Sequence, residues 1–206
     1  MTDAKDKTNN VCSRLFAKQG YRVAIIARNA SQSQKVADEI NKAGGEAAGF
    51  GSNDYAYKSI IAVWDEIKAF KWPSSQSTAP IRAALWNASN GGFNKFLDVT
   101  EESLQQSIEA NVTGAFAFSR QAILTFREND LDERGKRGAL LFTGATASIR
   151  GNVFTSAFAA GKFGLRSLSQ SLSKEFGKEN IHVSGRFGTL WWKSELIWVL
   201  GRSCHN

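Results

Sequence analysis

Two hydrophobic rhythms alternate along the chain from Tyr21 onward. Tyr21-Arg22-Val23-Ala24-Ile25-Ile26-Ala27 is a short apolar run behind Gly20, the signature of a strand buried on both faces. From about Ser31 the period lengthens: Val36 and Ile40 share one helical stripe, and Gly44-Gly45 is placed to stop the helix. Glu46 to Phe50 predicts a second strand, and Ile60, Trp64 and Ile67 at i, i+4 and i+7 a second helix. Pro73 and Pro80 bracket a polar loop, after which Ile81 to Trp86 predicts a third strand.

A long helix is expected over Glu101 to Phe126, striped by Leu104, Ile108, Val112, Ala115 and Phe116. Thr100 is its expected N-cap, with Glu101 and Glu102 in the first turn. Ala139 to Thr143 predicts a fourth strand. A helix over Ala157 to Phe176 follows, striped by Leu165, Leu168, Leu172 and Phe176. Ile181-His182-Val183 opens a fifth strand. Strand–helix alternation of this kind predicts a doubly wound parallel α/β sheet in three layers. Such a sheet takes its ligand outside the carboxyl ends of its strands.

Composition narrows the function. The 206 residues, 42% hydrophobic and 22% charged, suit one folded domain and exclude a wholly disordered chain. No apolar run is long enough for a membrane-spanning helix, and Met1 to Asn10 is polar, so the expected location is cytoplasmic. Two cysteines, Cys12 and Cys204, offer neither a disulfide framework nor a four-ligand metal site. The net charge of +7 is diffuse; its densest stretch, Glu133-Arg134-Gly135-Lys136-Arg137, is short. A solvated surface or affinity for an anionic ligand accounts for it better than nucleic-acid binding.

Four motifs fall in one register: the Ala27-Arg28-Asn29 strand ending, Asn87-Ala88-Ser89 after the third strand, Asn111 in Asn111-Val112-Thr113-Gly114, and Phe158-Ala159-Ala160-Gly161-Lys162. Together they resemble the short-chain dehydrogenase/reductase family over about residues 15–183. The resemblance implies a Rossmann-type domain spanning the chain and hydride transfer between a nicotinamide cofactor and a carbonyl or alcohol. In that family a tyrosine gives its proton to the carbonyl, and a lysine one helical turn later lowers the tyrosine pKa and holds the cofactor ribose. A serine orients the substrate oxygen, and an asparagine supports a water relay.

Carried onto this chain, Lys162 and Asn111 match the lysine and the asparagine. The tyrosine position is Phe158 and the serine position is Ala145 in Thr143-Gly144-Ala145-Thr146-Ala147-Ser148. Thr146 or Ser148 is the nearest replacement hydroxyl. The remaining tyrosines, Tyr21, Tyr55 and Tyr57, lie in the first half. The cofactor implied is NADP, with NAD as the alternative. Its expected contacts are Arg28 for the 2′-phosphate, Asn53 and Asp54 against the adenine, and Asn87, Ala88 and Lys162. Ser89 stands where the family has a glycine. An impaired oxidoreductase is expected; the alternative is a non-catalytic member or truncated isoform acting through protein–protein contact. The expected partners are a small carbonyl or alcohol and a second copy, through the 101–126 and 157–176 helices.

Both ends depart from the resemblance. The family opens with an apolar central strand and a glycine-rich turn whose amides receive the pyrophosphate. Met1 to Asn10 has no glycine and almost nothing apolar. The usual first and last strands are therefore expected to be missing, leaving two ladder edges to close on each other or stay unpaired. Residues 184–206 hold three of the six tryptophans and no proline. Alternative splicing, a mispredicted gene or a shifted reading frame accounts for such ends; a genuine end predicts an amphipathic helix from Leu190 to Leu200.

Overall fold

A computed structural model of the protein describes residues 11–73, 80–90, 92–186 and 197–202. Helix α1 (Val11–Lys18) leads into strand β1 (Tyr21–Ala27), followed by α2 (Ala30–Lys42), β2 (Glu46–Gly51), α3 (Tyr57–Ala69) and β3 (Ile81–Trp86). Helix α4 (Glu101–Ile108) continues through a π-helical turn, Glu109–Thr113, into α5 (Gly114–Arg127). Strand β4 (Gly138–Thr143), helix α6 (Ser156–Phe176), β5 (Ile181–Arg186) and β6 (Ile197–Arg202) complete the order.

The local signals act as their chemistry dictates. Gly44 ends the α2 segment in the left-handed region, at φ 83°. Thr100 caps α4 by accepting the Ser103 N–H at 3.1 Å. Both faces of β1 are apolar because both are covered. Ala24 and Ile26 join one cluster with Trp64, Phe118 and Leu165, while Val23, Ile25 and Ala27 join another with Val36 and Ile40. Helices α3, α5 and α6 thus pack on one side of the sheet, and α1 and α2 on the other. The larger cluster is organised by aromatic pairs: Trp64 meets Phe118 edge-on at 5.2 Å, and Phe118 meets Trp86 at 5.3 Å.

Three expectations are corrected. The long helix is not regular: the π-helical turn at Glu109–Thr113 adds a residue to one turn and carries Asn111. The expected inward stripe is split, since Ala115 is buried while Leu104 and Phe116 are exposed. The third correction concerns the slot between β1 and β3.

The sheet order is β2-β1-β6-β3-β4-β5. Strands β1 to β5 pair in parallel, but β6 lies between β1 and β3 and runs antiparallel to both. Ile26 faces Ile197 and Tyr21 faces Arg202 on one side; Trp86 faces Ile197 and Ile81 faces Gly201 on the other. The two edges therefore neither close on each other nor stay unpaired. An empty slot would leave two rows of N–H and C=O groups facing one another in the middle of a buried sheet. The apolar run Ile197-Trp198-Val199-Leu200, after β5, supplies the missing ladders. Over these residues the expected Leu190–Leu200 helix is replaced by strand; residues 190–196 lie outside the described residues, as do the expected phosphate-loop region 1–10 and the 74–79 segment of the proline-bracketed loop.

Because β6 is antiparallel, the chain leaves β5 and enters β6 on the same edge, the one carrying the carboxyl ends of β1 to β5. Val199 sits opposite Ala24 and Ala84, in the middle of both ladders. Val199→Pro deletes its N–H there and is expected to destabilise the protein by on the order of 3 kcal/mol. Urea denaturation checks this, and an unchanged midpoint would mean that β6 does not hold the slot.

Candidate active site

The carboxyl edge collects the strand exits that the sequence marked. After β3, Asn87 and Ala88 are buried, and Ser89 follows half-buried. The Ser89 hydroxyl donates to Asn111 Oδ1 at 3.3 Å. Asn111 in turn donates from Nδ2 to the Asn90 carbonyl at 2.8 Å and to the Ser107 carbonyl at 2.9 Å. The Ser107 hydroxyl donates to the Ala157 carbonyl at 2.9 Å, at the start of α6. Asn111 and Ser107 are fully buried, so these bonds prevent a desolvation penalty. One asparagine ties the exit of β3 to the α4–α5 hinge, and Ser107 extends the tie to α6.

Gly161 makes this possible. A Cβ there would sit 2.9 Å from Asn111 Nδ2 and 3.0 Å from Ser107 Oγ, so only glycine lets α6 come so close.

Lys162 is the next residue. It is 2% exposed, and its Nζ donates to the Thr143 carbonyl at 3.0 Å, where β4 ends. Burial pushes its pKa down to about 7. The Phe158 ring, one turn earlier on α6, has its centroid 5.9 Å from Nζ. At the position expected for the serine, Ala145 is buried and its N–H donates to Ser148 Oγ at 3.1 Å. Ser148 is fully buried and its oxygen holds the 146–148 turn. The stretch from Phe158 to Lys162 thus places an aromatic ring, and no phenol, beside a buried amine.

The other expected residues lie on the exits of β1 and β2. Arg28 is half-buried, with its guanidinium carbon 5.5 Å over the Tyr55 ring. Asn53 is exposed in the left-handed region at φ 55°, and Asp54 is exposed and accepts the Ala56 N–H at 3.0 Å. Tyr55 packs edge-on against Trp86 at 5.9 Å. Asn111, Lys162 and Phe158 come together around Gly161, whereas Arg28, Asn53 and Asp54 form a separate group on neighbouring strand exits. Sequence reasoning missed Tyr55, Ser107 and Gly161 as parts of the site. A signal existed only for Ser107, which precedes Asn111 by one turn on the same helix face.

A dinucleotide of the implied kind needs polar groups at both nucleoside ends and a cradle of amides for its pyrophosphate. Arg28 and Asp54 are suited in type to the adenosine end, and Asn87 and Lys162 to the nicotinamide ribose. The middle does not fit. The strand in the central slot is β6, which runs away from the carboxyl edge and ends at Arg202 beside Tyr21. It therefore cannot turn into the N-terminus of α1, and among the described residues nothing else forms a glycine-rich cradle there.

The family model described as short chain dehydrogenase matches residues 10–186. An uncharacterized oxidoreductase of Bacillus subtilis, YxnA, is 25% identical over 184 residues, covering 89% of this chain and 48% of that protein. A 3-oxoacyl-[acyl-carrier-protein] reductase of Mus musculus is 25% identical over 173 residues, covering 84% of this chain and 66% of that protein. Among solved structures, a metagenomic short-chain oxidoreductase in complex with NADP superposes with a TM-score of 0.72 at 22% identity, over 87% of this chain and 75% of that one. The chain thus spans about half to two thirds of the length of the curated relatives it matches.

Two substitutions test the geometry. Gly161→Ala forces a Cβ against Asn111 and Ser107 and is expected to destabilise the protein by about 1–3 kcal/mol in chemical denaturation. Lys162 gives a pH signature. Below about pH 7 its ammonium is buried in the folded state, and the burial penalty is present in full. Between about 7 and the unfolded value near 10.4 the unfolded chain holds a proton that the folded chain has released, so stability rises with pH. Lys162→Met should remove that slope and exceed the parent in stability at pH 6, by on the order of 2–4 kcal/mol. The gap should narrow by pH 10. A parent and variant with parallel pH profiles would show that the amine is solvated.

Proposed function

The chain belongs to the short-chain dehydrogenase family, and from that premise we propose that it is an NADP-linked oxidoreductase by descent whose carbonyl–alcohol hydride transfer is impaired. NAD is the alternative cofactor, and the substrate is a small carbonyl or alcohol. The observation that carries this reading is the Phe158 ring at the acid position, 5.9 Å from the Lys162 amine. Hydride delivery to a carbonyl carbon must be matched by a proton on its oxygen. Phe158 has none to give, and Ala145 has no hydroxyl to orient the oxygen. Lys162 already donates to the Thr143 carbonyl and is almost wholly buried. Loss of a positioned general acid lowers such a rate by about 10²–10⁴-fold. Lys162 and Asn111 retain the role of holding the site in shape: the amine pins α6 to the end of β4, and the amide pins the β3 exit to the helix hinge.

A cofactor of this class would supply the hydride. In this chain Arg28, Asn53, Asp54, Asn87, Ala88 and Lys162 are the residues proposed to meet it, with no glycine-rich pyrophosphate cradle among the described residues. Affinity is therefore expected to be weak. Membership of the family and the NADP held by a structural neighbour support the choice of cofactor.

One observation favours the second reading, a non-catalytic member acting through contact with another copy. Leu104, Phe116, Leu124 and Phe163 are exposed large apolar side chains on the 101–126 and 157–176 helices. Exposed apolar side chains gathered on two neighbouring helices mark an interaction surface. We propose this face for homo-oligomer formation, and a cytoplasmic location for the protein. Among the described residues no helix is long and apolar enough to cross a membrane.

NADPH titration followed by fluorescence and thermal shift separates the two readings. Binding only toward the millimolar range supports the impaired oxidoreductase. Micromolar binding with ordinary turnover would contradict it, and no shift at millimolar NADPH decides for the non-catalytic member. Where the cofactor binds, Phe158→Tyr with Ala145→Ser is expected to raise carbonyl reduction by at least about 100-fold.

A further inference from the structure

The mouth of the candidate site carries large apolar side chains that are partly exposed. Phe93, in the segment after β3, is 55% exposed, and Phe154, just before α6, is 48% exposed. Their two segments are joined by the Asn94 N–H, which donates to the Phe154 carbonyl at 3.0 Å. Phe93 also meets the Phe158 ring at 6.5 Å, tilted by 47°. Val153, 73% exposed, stands next to Phe154 in the chain, and Phe158 faces Lys162.

Phe154 is held there against its backbone preference. Its φ of 66° is in the left-handed region, which a bulky residue rarely adopts. The turn around it is fixed by its neighbours: Thr155 Oγ1 accepts the Asn152 N–H at 3.0 Å and donates to the Asn152 carbonyl at 2.8 Å, and Asn152 Oδ1 accepts the Val153 N–H at 2.8 Å. Such strain persists where the surrounding bonds over-determine the backbone, and it clusters at ligand sites. Here the ring stays half in water, at the edge where an open α/β sheet meets its ligand.

We infer that Phe93, Val153, Phe154 and Phe158 form an apolar clamp that selects carbonyl or alcohol compounds with an aliphatic or aryl tail, and against polyhydroxylated ones. The inference rests on the proposed site and names its substrate class. A small molecule fits better than a protein face for two reasons. The Phe93 ring meets Phe158, and the Phe158 ring faces the buried Lys162. Phe93, Val153 and Phe154 also come from the connections on the carboxyl edge and Phe158 from the first turn of α6, apart from the other helix residues Leu104, Phe116 and Phe163. An apolar tail lying between Phe93 and Phe154 would place its polar head toward Phe158 and Lys162.

The test uses the full chain without cofactor and a series of methyl ketones from butan-2-one to decan-2-one, with dihydroxyacetone as the polar control. Binding is read by ligand-observed NMR. Affinity is expected to rise about two- to fourfold per added methylene and to be absent for dihydroxyacetone. Phe93→Ser should weaken decan-2-one by at least tenfold. Phe154→Gly keeps the left-handed turn without strain, so it should weaken decan-2-one similarly while leaving the melting temperature unchanged or higher. Affinity that is independent of chain length, equal binding of dihydroxyacetone, or wild-type affinity in both variants would overturn the clamp. Ketone binding without NADPH binding would keep the clamp and remove the oxidoreductase reading; NADPH binding without ketone binding would do the reverse.

Discussion

Everything else in this fold depends on closing the slot between β1 and β3. Those two strands are parallel to each other and buried on both faces, so each has an unpaired ladder pointing at the same gap. Buried backbone groups in that number cannot be left without partners in a marginally stable protein. Strand β6 satisfies both ladders with six residues and reverses the direction of the centre of the sheet. The carboxyl edge survives this reversal, because β1 to β5 still end there. Among the described residues, no link runs from the central strand into the first helix, where the family's pyrophosphate cradle would lie.

The site shows the same division between what is retained and what is replaced. Asn111, on its π-helical turn, and Gly161, on α6, pack so closely that a Cβ on Gly161 would stand 2.9 Å from the Asn111 side chain. Lys162 keeps its place on the same turn of α6 although burial makes its charge costly. Phe158 and Ala145, by contrast, are apolar at the two positions that the proposed function assigns to a proton donor and an orienting hydroxyl. The polar contacts that hold helices to the sheet run from Ser107, Asn111 and Lys162.

The order of strands and helices was legible because it is carried by local periodicity: β1 reads as a run apolar on both faces, and Thr100 and Gly44 mark helix ends by their own chemistry. Asn111 and Lys162 were legible as a pattern of types, and both side chains are buried and hydrogen-bonded. What periodicity could not reveal was non-local. The partner of Ile197-Trp198-Val199-Leu200 is set by two open edges more than a hundred residues away, and an apolar run of that length fits helix or strand equally. The π-helical turn was hidden for a similar reason, since the apolar stripe through Ile108 and Val112 continues across it. Tyr55 became part of the site only through its stacking between Arg28 and Trp86, a contact made by three different segments.

The central claim is that the chain's own C-terminal strand, running antiparallel, completes the sheet. Interstrand NOEs in an isotopically labelled sample test it most directly. The account predicts contacts from Ile197 to Ile26 and Trp86, and from Val199 to Ala24 and Ala84, with β6 amides exchanging as slowly as those of β1. Contacts in the opposite register, with Ile197 near Tyr21, or rapid exchange of the β6 amides would contradict it.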